Sequence, residues 1–202
     1  MTPTVAVRRA RDDGDLATAR SLEHDVFAPE GFISGSTRRV VEEYEHLDAQ
    51  SSWYLVERDG EAAGVLRMIA SGPSLVPALR SFDVDPAIRS ELEGQRYAEV
   101  GTLALGEQHR ETDTGLHLYR AAYRDSVREG VTAWVGVLEQ WLLERLVSFG
   151  FPFAGMGPSR YYMGGECLPV VMLFRDVEPT LGRLDPTLHA WMTNGLPVPA
   201  SA

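Results

Sequence analysis

A carboxylate set inside an apolar run is the first residue here that could do chemistry. Glu99 lies in Tyr97-Ala98-Glu99-Val100-Gly101-Thr102-Leu103-Ala104-Leu105. Apolar surroundings disfavour the ionised form of a carboxyl and raise its proton affinity, which suits a general base. Strand alternation groups Glu99 with Gly101, Leu103 and Leu105 on one face. Beyond the run, residues 106–115 form a polar loop that opens a helix at Leu116. A helix amino end has unpaired N–H groups and the positive end of a dipole, so the junction suits an anion such as a phosphate. The two features describe a phosphate-bearing ligand with an acid/base group beside it. The alternative for Glu99 is an ion pair with Arg67 or Arg96 that only positions strands.

Three further sets of residues carry possible chemistry. Arg67 interrupts Val65-Leu66-Arg67-Met68-Ile69. A cation in an apolar strand needs a partner, either Glu99 or the carboxylate of a substrate. Arg120, Arg124 and Arg128 recur every four residues and form a basic stripe, or a solvated flank tied to Asp125 and Glu129. Trp134, Trp141, Phe149, Phe151 and Phe153 could line an acyl tunnel between the late strands, or be core, the commoner use of aromatic residues at this density. The single cysteine, Cys167, excludes an internal disulfide and a Cys-rich metal site, and it reads as a small residue of a buried strand. The five histidines show no ligand spacing, so no metal is expected.

These residues need a scaffold. The chain has 202 residues, enough for one domain, 1–202, with 178–202 as a tail holding a short helix. A net charge of −10 argues against broad nucleic-acid binding. The first residues lack a signal-peptide core and no run is long enough to span a bilayer, so a cytoplasmic protein is expected, as monomer or homodimer. Strands are predicted over 4–9, 53–58, 62–70, 98–105, 132–137, 151–156 and 168–174. Asp59-Gly60 between two apolar runs marks a hairpin turn. Helices are predicted over 15–26, 38–47, 86–92, 116–128, 138–149 and 186–192. The first buries a stripe of Leu16, Ala19, Leu22, Glu23 and Val26, and the fifth turns Leu138, Leu142, Leu146 and Phe149 inward. Gly130 and Gly150 stop two of them. The order gives an α/β (α+β) fold with a mixed central sheet of about seven strands flanked by helices.

This order resembles the GNAT acyltransferase fold, in the branch of acyl-homoserine-lactone synthases and N-acyl amino acid synthases. The likeness rests on Phe27 after the first helix, Tyr44 and Asp48 before Trp53-Tyr54-Leu55-Val56, and Gly64-Val65-Leu66-Arg67-Met68. It continues through Ala98-Glu99-Val100 with Leu103-Ala104-Leu105, then Glu144-Arg145-Leu146, Gly150, Gly157-Pro158, Gly164-Gly165 and Pro169-Val170-Val171-Met172-Leu173. The chain departs from the branch at two arginine positions, occupied here by Glu23 and Thr102. Its loop, Arg110-Glu-Thr-Asp-Thr-Gly115, is also a degraded form of the acetyl-CoA motif.

The resemblance implies a sheet splayed between its fourth and fifth strands, with an acyl thioester of acyl carrier protein or coenzyme A laid in the opening. Backbone groups of Thr102 and Leu103 would polarise the thioester carbonyl, and Glu99 would serve as base. Leu103, Leu105, Arg110, Thr114, Gly115 and Leu116 would hold the donor. Phe27, Phe32, Arg67 and Trp134 would meet acyl chain or acceptor, and Arg120, Arg124 and Arg128 would dock a carrier. The expected reaction is transfer of a medium-to-long acyl group to the amine of an amino acid or related metabolite, by direct attack in a ternary complex. Its rivals are a conventional acetyl-CoA enzyme and a silent thioester-binding or partner-binding domain.

Overall fold

Asp59 and Gly60 show how closely local chemistry sets the architecture. In the computed structural model, which describes residues 3–29 and 42–196, both adopt positive φ, 54° and 85°. A two-residue hairpin turn needs that backbone to match the twist of its strands. The turn joins β2 (Ser51–Arg58) to β3 (Glu61–Ala70) in a register that sets Trp53 opposite Arg67. β1 (Val5–Arg9) pairs antiparallel with β2 and alternates half-buried with exposed residues. β3 is instead buried without a break from Ala63 to Ile69, as a strand covered on both faces must be.

Later strands are β4 (Tyr97–Leu105), β5 (Ala133–Glu139), β6 (Ala154–Gly155), β7 (Arg160–Tyr162) and β8 (Gly165–Leu173). They complete one sheet in the order β1-β2-β3-β4-β5-β8-β6, with β7 also on β8. The sheet is mixed: β4 and β5 are neighbours joined through a helix, which only parallel strands require. Among the described residues there are eight strands, in keeping with the expected sheet of about seven. The expected strand over 151–156 shrinks to β6 because Pro152 has no N–H for a ladder. Phe151 and Phe153 stay buried all the same.

The chain divides into two compact units, residues 1–74 with 100–122 and residues 75–99 with 123–202. In the first, α1 (Asp13–Phe27) starts at Asp12, whose carboxylate accepts the Asp15 N–H at 2.9 Å. Leu16, Leu22, Val26 and Phe27 pack on a core of Ala19, Trp53, Leu55, Val65 and Ala104. The helix expected over 38–47 is, within the described residues, a 3-10 helix, Glu42–Gln50. Its buried residues explain the change: Tyr44 and Leu47 are three apart, the repeat of a 3-10 turn. Gly64 lets β3 approach β4, since a Cβ there would stand 2.9 Å from the Ala104 carbonyl oxygen.

The second unit holds α2 (Pro77–Arg80), α3 (Pro86–Leu92), α5 (Gln140–Ser148), α6 (Val177–Leu184) and α7 (Pro186–Thr193), while α4 (Thr114–Arg128) contributes to both units. The register expected for the fifth helix is corrected. β5 runs on to Glu139, so α5 starts two residues late and turns Leu143 and Leu146 inward, leaving Phe149 42% exposed. Among the described residues, the expected short helix of the tail is α7, and α6 precedes it. Pro179 and Gly182 hide α6 in the sequence, yet Pro179 falls in its first turn, where no helical N–H is lost, and Val177 and Leu181 anchor it. Among the described residues, no helix is long and apolar enough to cross a membrane.

Candidate active site

The first unit buries charge. Arg67 is fully enclosed on β3, its guanidinium carbon 4.7 Å from the ring centre of Trp53 and 5.3 Å from that of Tyr44. It donates to Asp48 Oδ1 at 2.6 Å, to the Tyr44 carbonyl at 2.7 Å and to Ser51 Oγ at 2.9 Å. Asp48 is shared, because its other oxygen accepts from Arg20 Nη2 at 3.0 Å. Burial pulls the Arg67 guanidinium below its ordinary range, and the charges of Glu23 and Asp48 oppose that. The ion-pair partner that Arg67 needs is therefore Asp48, supplied by the 3-10 helix.

Glu23 completes this group. It projects from α1, is 0% exposed, and accepts a hydrogen bond from the Thr102 hydroxyl of β4. Burial raises the carboxyl, while the Thr102 bond and the Arg67 charge lower it in part. Glu23 Oε2, Arg67 Nη1 and Arg20 Nε are buried and have no hydrogen-bond partner among the described residues. The residues that depart from the resembling branch, Glu23 and Thr102, thus meet each other. Sequence reasoning counted Glu23 in the inward stripe of α1 without assigning it a task. An acid on an apolar helix face was the available signal.

Along β4, Glu99 is 0% exposed and accepts the Ala78 N–H at 2.8 Å from the start of α2. Gly101, Leu103 and Leu105 are half-buried, whereas Thr102 and Ala104 are buried. The strand ends where the Gly106 N–H reaches the Ala63 carbonyl at 3.0 Å. Arg110 is exposed, with a long 3.5 Å contact from Nε to the Leu105 carbonyl. At the start of α4, Thr114 is buried and Leu116 half-buried. A Cβ on Gly115 would stand 3.5 Å from Leu105 and 3.8 Å from Leu103. The amino end of α4 already has a carboxylate: Asp113 takes Arg58 Nη1 at 2.7 Å, lies 3.4 Å from His117 Nε2, and is held below its usual range chiefly by Arg58. Arg58 also reaches the Thr114 hydroxyl at 3.2 Å. Sequence reasoning missed Arg58 because it closes a strand 55 residues away.

The remaining expected residues are placed as follows. Phe27 ends α1 against the first unit's core, and Phe32 lies outside the described residues. Trp134 is fully buried in the second unit, its indole N–H on Ser126 Oγ at 3.0 Å and its ring edge-on to Tyr123 and Phe174. Arg120 and Arg124 are half-buried, and Arg128 is exposed and pairs with Asp125 at 3.2 Å. Trp141 is exposed, with its N–H on Glu139 at 2.6 Å. Burial pushes the Cys167 thiol up to about 11, helped by Glu139 and Glu166. Among the described residues, no group of three or more His, Cys, Asp or Glu could hold a metal.

Comparison with known proteins adds a family. The family model described as N-acyl amino acid synthase FeeM matches residues 18–140, the stretch that carries Arg20, Glu23, Asp48, Arg67, Glu99 and Thr102. The fold is similar to that of FeeM, an N-acyl amino acid synthase from uncultured soil microbes, with a TM-score of 0.68 and 13% identity over 88% of this chain and 95% of that one. It is also similar to the AHL synthase LasI (TM-score 0.63, 16% identity, 86% and 90% covered). A third similar structure is BjaI, a CoA-dependent acyl-homoserine lactone synthase solved with SAM and isopentyl-CoA (TM-score 0.65, 18% identity, 96% and 92% covered). No curated protein sequence matches the chain.

Proposed function

We propose that this chain, which belongs to the FeeM N-acyl amino acid synthase family, moves a medium-to-long acyl group from a thioester to the amine of an amino acid or related metabolite. Membership makes it an acyltransferase; donor and acceptor are our reading. The observation that carries the acceptor side is Arg67, a fully buried guanidinium whose Nη1 has no partner among the described residues. Such a cation suits a carboxylate, which a planar guanidinium binds with directed N–H groups. BjaI, solved with isopentyl-CoA, and FeeM, an N-acyl amino acid synthase, lend support to a thioester donor and an amine acceptor.

In this reading the thioester lies along residues 102–105, and backbone N–H groups of Thr102 and Leu103 receive the carbonyl oxygen as charge builds on it. Glu99 takes a proton from the amine. The amine lone pair forms the C–N bond, the C–S bond breaks, and the thiolate leaves with a proton. Leu105, Arg110, Thr114, Gly115 and Leu116 hold the donor, with Arg58 available to its phosphates. Phe27 faces acyl chain or acceptor, whereas Trp134, enclosed by Tyr123 and Phe174, is left to the core, and Arg120, Arg124 and Arg128 receive an acyl carrier protein. The setting proposed is the cytoplasm, and the state a monomer or homodimer.

Intact mass of products from a mixed pool of thioesters and amines tests the reading. The expected product is an acyl amide of an amino acid. Glu99→Gln should lower kcat by about 100-fold or more, the scale of a lost general base, and leave donor binding within about threefold. Equal loss of both would make Glu99 a structural residue.

A further inference from the structure

Two charges of each sign meet in the first unit: Glu23 of α1 and Arg67 of β3, both fully buried, and at their part-exposed edge Arg20 of α1 and Asp48 of the 3-10 helix. Burying ions costs free energy unless their hydrogen-bonding groups are matched. Here the matching is incomplete in a particular way. Both Asp48 oxygens are engaged, one by Arg20 and one by Arg67. Glu23 uses Oε1 for the Thr102 hydroxyl and leaves Oε2 open. Arg67 Nη1 and Arg20 Nε are open as well. The cluster therefore has unfilled capacity for one positive donor group and for the acceptor oxygens of an anion. A zwitterion supplies both and adds no net charge to the interior. A simple cation or anion would leave one buried charge uncompensated.

We propose that Glu23 is an acceptor-recognition residue, whose open oxygen receives the ammonium of an α-amino acid while Arg67 and Arg20 receive its carboxylate. This rests on the reading of residues 102–105 as the thioester's strand and refines it. The bond from Thr102 to Glu23 Oε1 would then set the acceptor beside the first residue of that strand. Groups acting on the Glu23 charge are Arg67 of β3, Asp48 of the 3-10 helix and Arg20 of α1 itself.

Steady-state kinetics on the full chain tests this, with amino acid and acyl thioester varied separately. In Glu23→Gln the amide oxygen can still accept from Thr102, but Oε2 is replaced by an NH2 group that repels an ammonium. The acceptor KM should rise about 10-fold or more, as expected for a lost charged hydrogen bond, while donor KM and kcat stay within about threefold. Thr102→Val removes the bond that positions Glu23 but leaves Oε2 able to meet an ammonium, so its acceptor KM should rise by clearly less than that of Glu23→Gln. Equal changes in the two variants, or no change in Glu23→Gln, would make the pair purely structural and overturn the proposal. The same holds if the amino acid and its decarboxylated amine are used equally well by the parent. Should Glu23→Gln not fold, that comparison of acceptors decides alone. If the parent makes no acyl amide from any pair, the reading of the reaction falls first and this refinement with it.

Discussion

The two compact units build their interiors from different chemistry. In the first, the sheet and α1 enclose Arg67 and Glu23 beside the part-exposed pair Arg20 and Asp48, and three polar atoms of the group have no partner among the described residues. The second also buries one carboxylate, Glu99, held by the Ala78 N–H, but the middle of its β5 is aromatic: Trp134 is enclosed edge-on by Tyr123 and Phe174, and its indole N–H is satisfied by Ser126. An aromatic interior gains stability from apolar burial and ring contacts. A charged interior gains little on that account, since well-packed apolar residues do as well or better. The first unit therefore holds groups that stability alone would not select, and it lies largely within the matched family region.

The hardest test of the contrast is Trp134→Ala. Loss of a fully buried tryptophan should cost about 3–5 kcal/mol, read as a lower denaturant midpoint, and leave acyl-chain preference per folded molecule unchanged. A variant of near-parental stability with altered chain preference would break the contrast and make Trp134 a substrate contact.

How much of this was legible beforehand differs between the units for a physical reason. The hairpin at Asp59-Gly60, the helix stops at Gly130 and Gly150, and most of β2, β3, β4, β5 and β8 follow from local turn chemistry and apolar runs. Elements that depend on tertiary contact did not show: the three-residue β7, the short α2, and α6 behind Pro179. Phe149, expected inward, is exposed because two further residues on β5 delay the start of α5. At the site, Glu99 and Arg67 stood out as charges inside apolar strands. Arg58 did not, and Glu23 and Asp48 were noted only for the resemblance, since each acquires its meaning from a partner 19 to 79 residues away. Sequence spacing cannot display such pairs.

A smaller effect concerns the linkage of stability to pH in the first unit. Glu23 has its carboxyl raised by burial in the folded state, relative to about 4.3 in an unfolded chain. The folded protein then binds the proton more tightly. The contribution of Glu23 is fully present below the unfolded value and is lost as pH rises through the folded one. Glu23→Gln should remove that part of the slope and be no less stable than the parent at neutral pH. Chemical denaturation of both proteins across pH 3 to 8 reads the difference between the two curves, for which the range is an ordinary carboxylate window. A variant that loses stability mainly above the folded value would mean that the ionised Glu23 is a net stabiliser.

The smallest effect is expected where the carboxylate is exposed. Asp113 is 56% exposed and paired with Arg58, and its carboxyl is held low, first by the Arg58 hydrogen bond and then by His117. The sign is opposite to that of Glu23: the stabilisation exists above the unfolded value and disappears as pH falls through the lower folded one. Solvent screening limits it, so Asp113→Asn should cost only about 0.5 kcal/mol at neutral pH and low salt, and less as salt is added. Donor binding sharpens the result. Asp113 occupies the amino end of α4 and engages Arg58, so replacing it with a neutral residue frees a cation beside a positive dipole end. If phosphates of the donor rest there, the same variant should bind coenzyme A thioesters more tightly while being slightly less stable. If binding weakens along with stability, Asp113 serves the helix alone, and the donor's phosphates rest elsewhere.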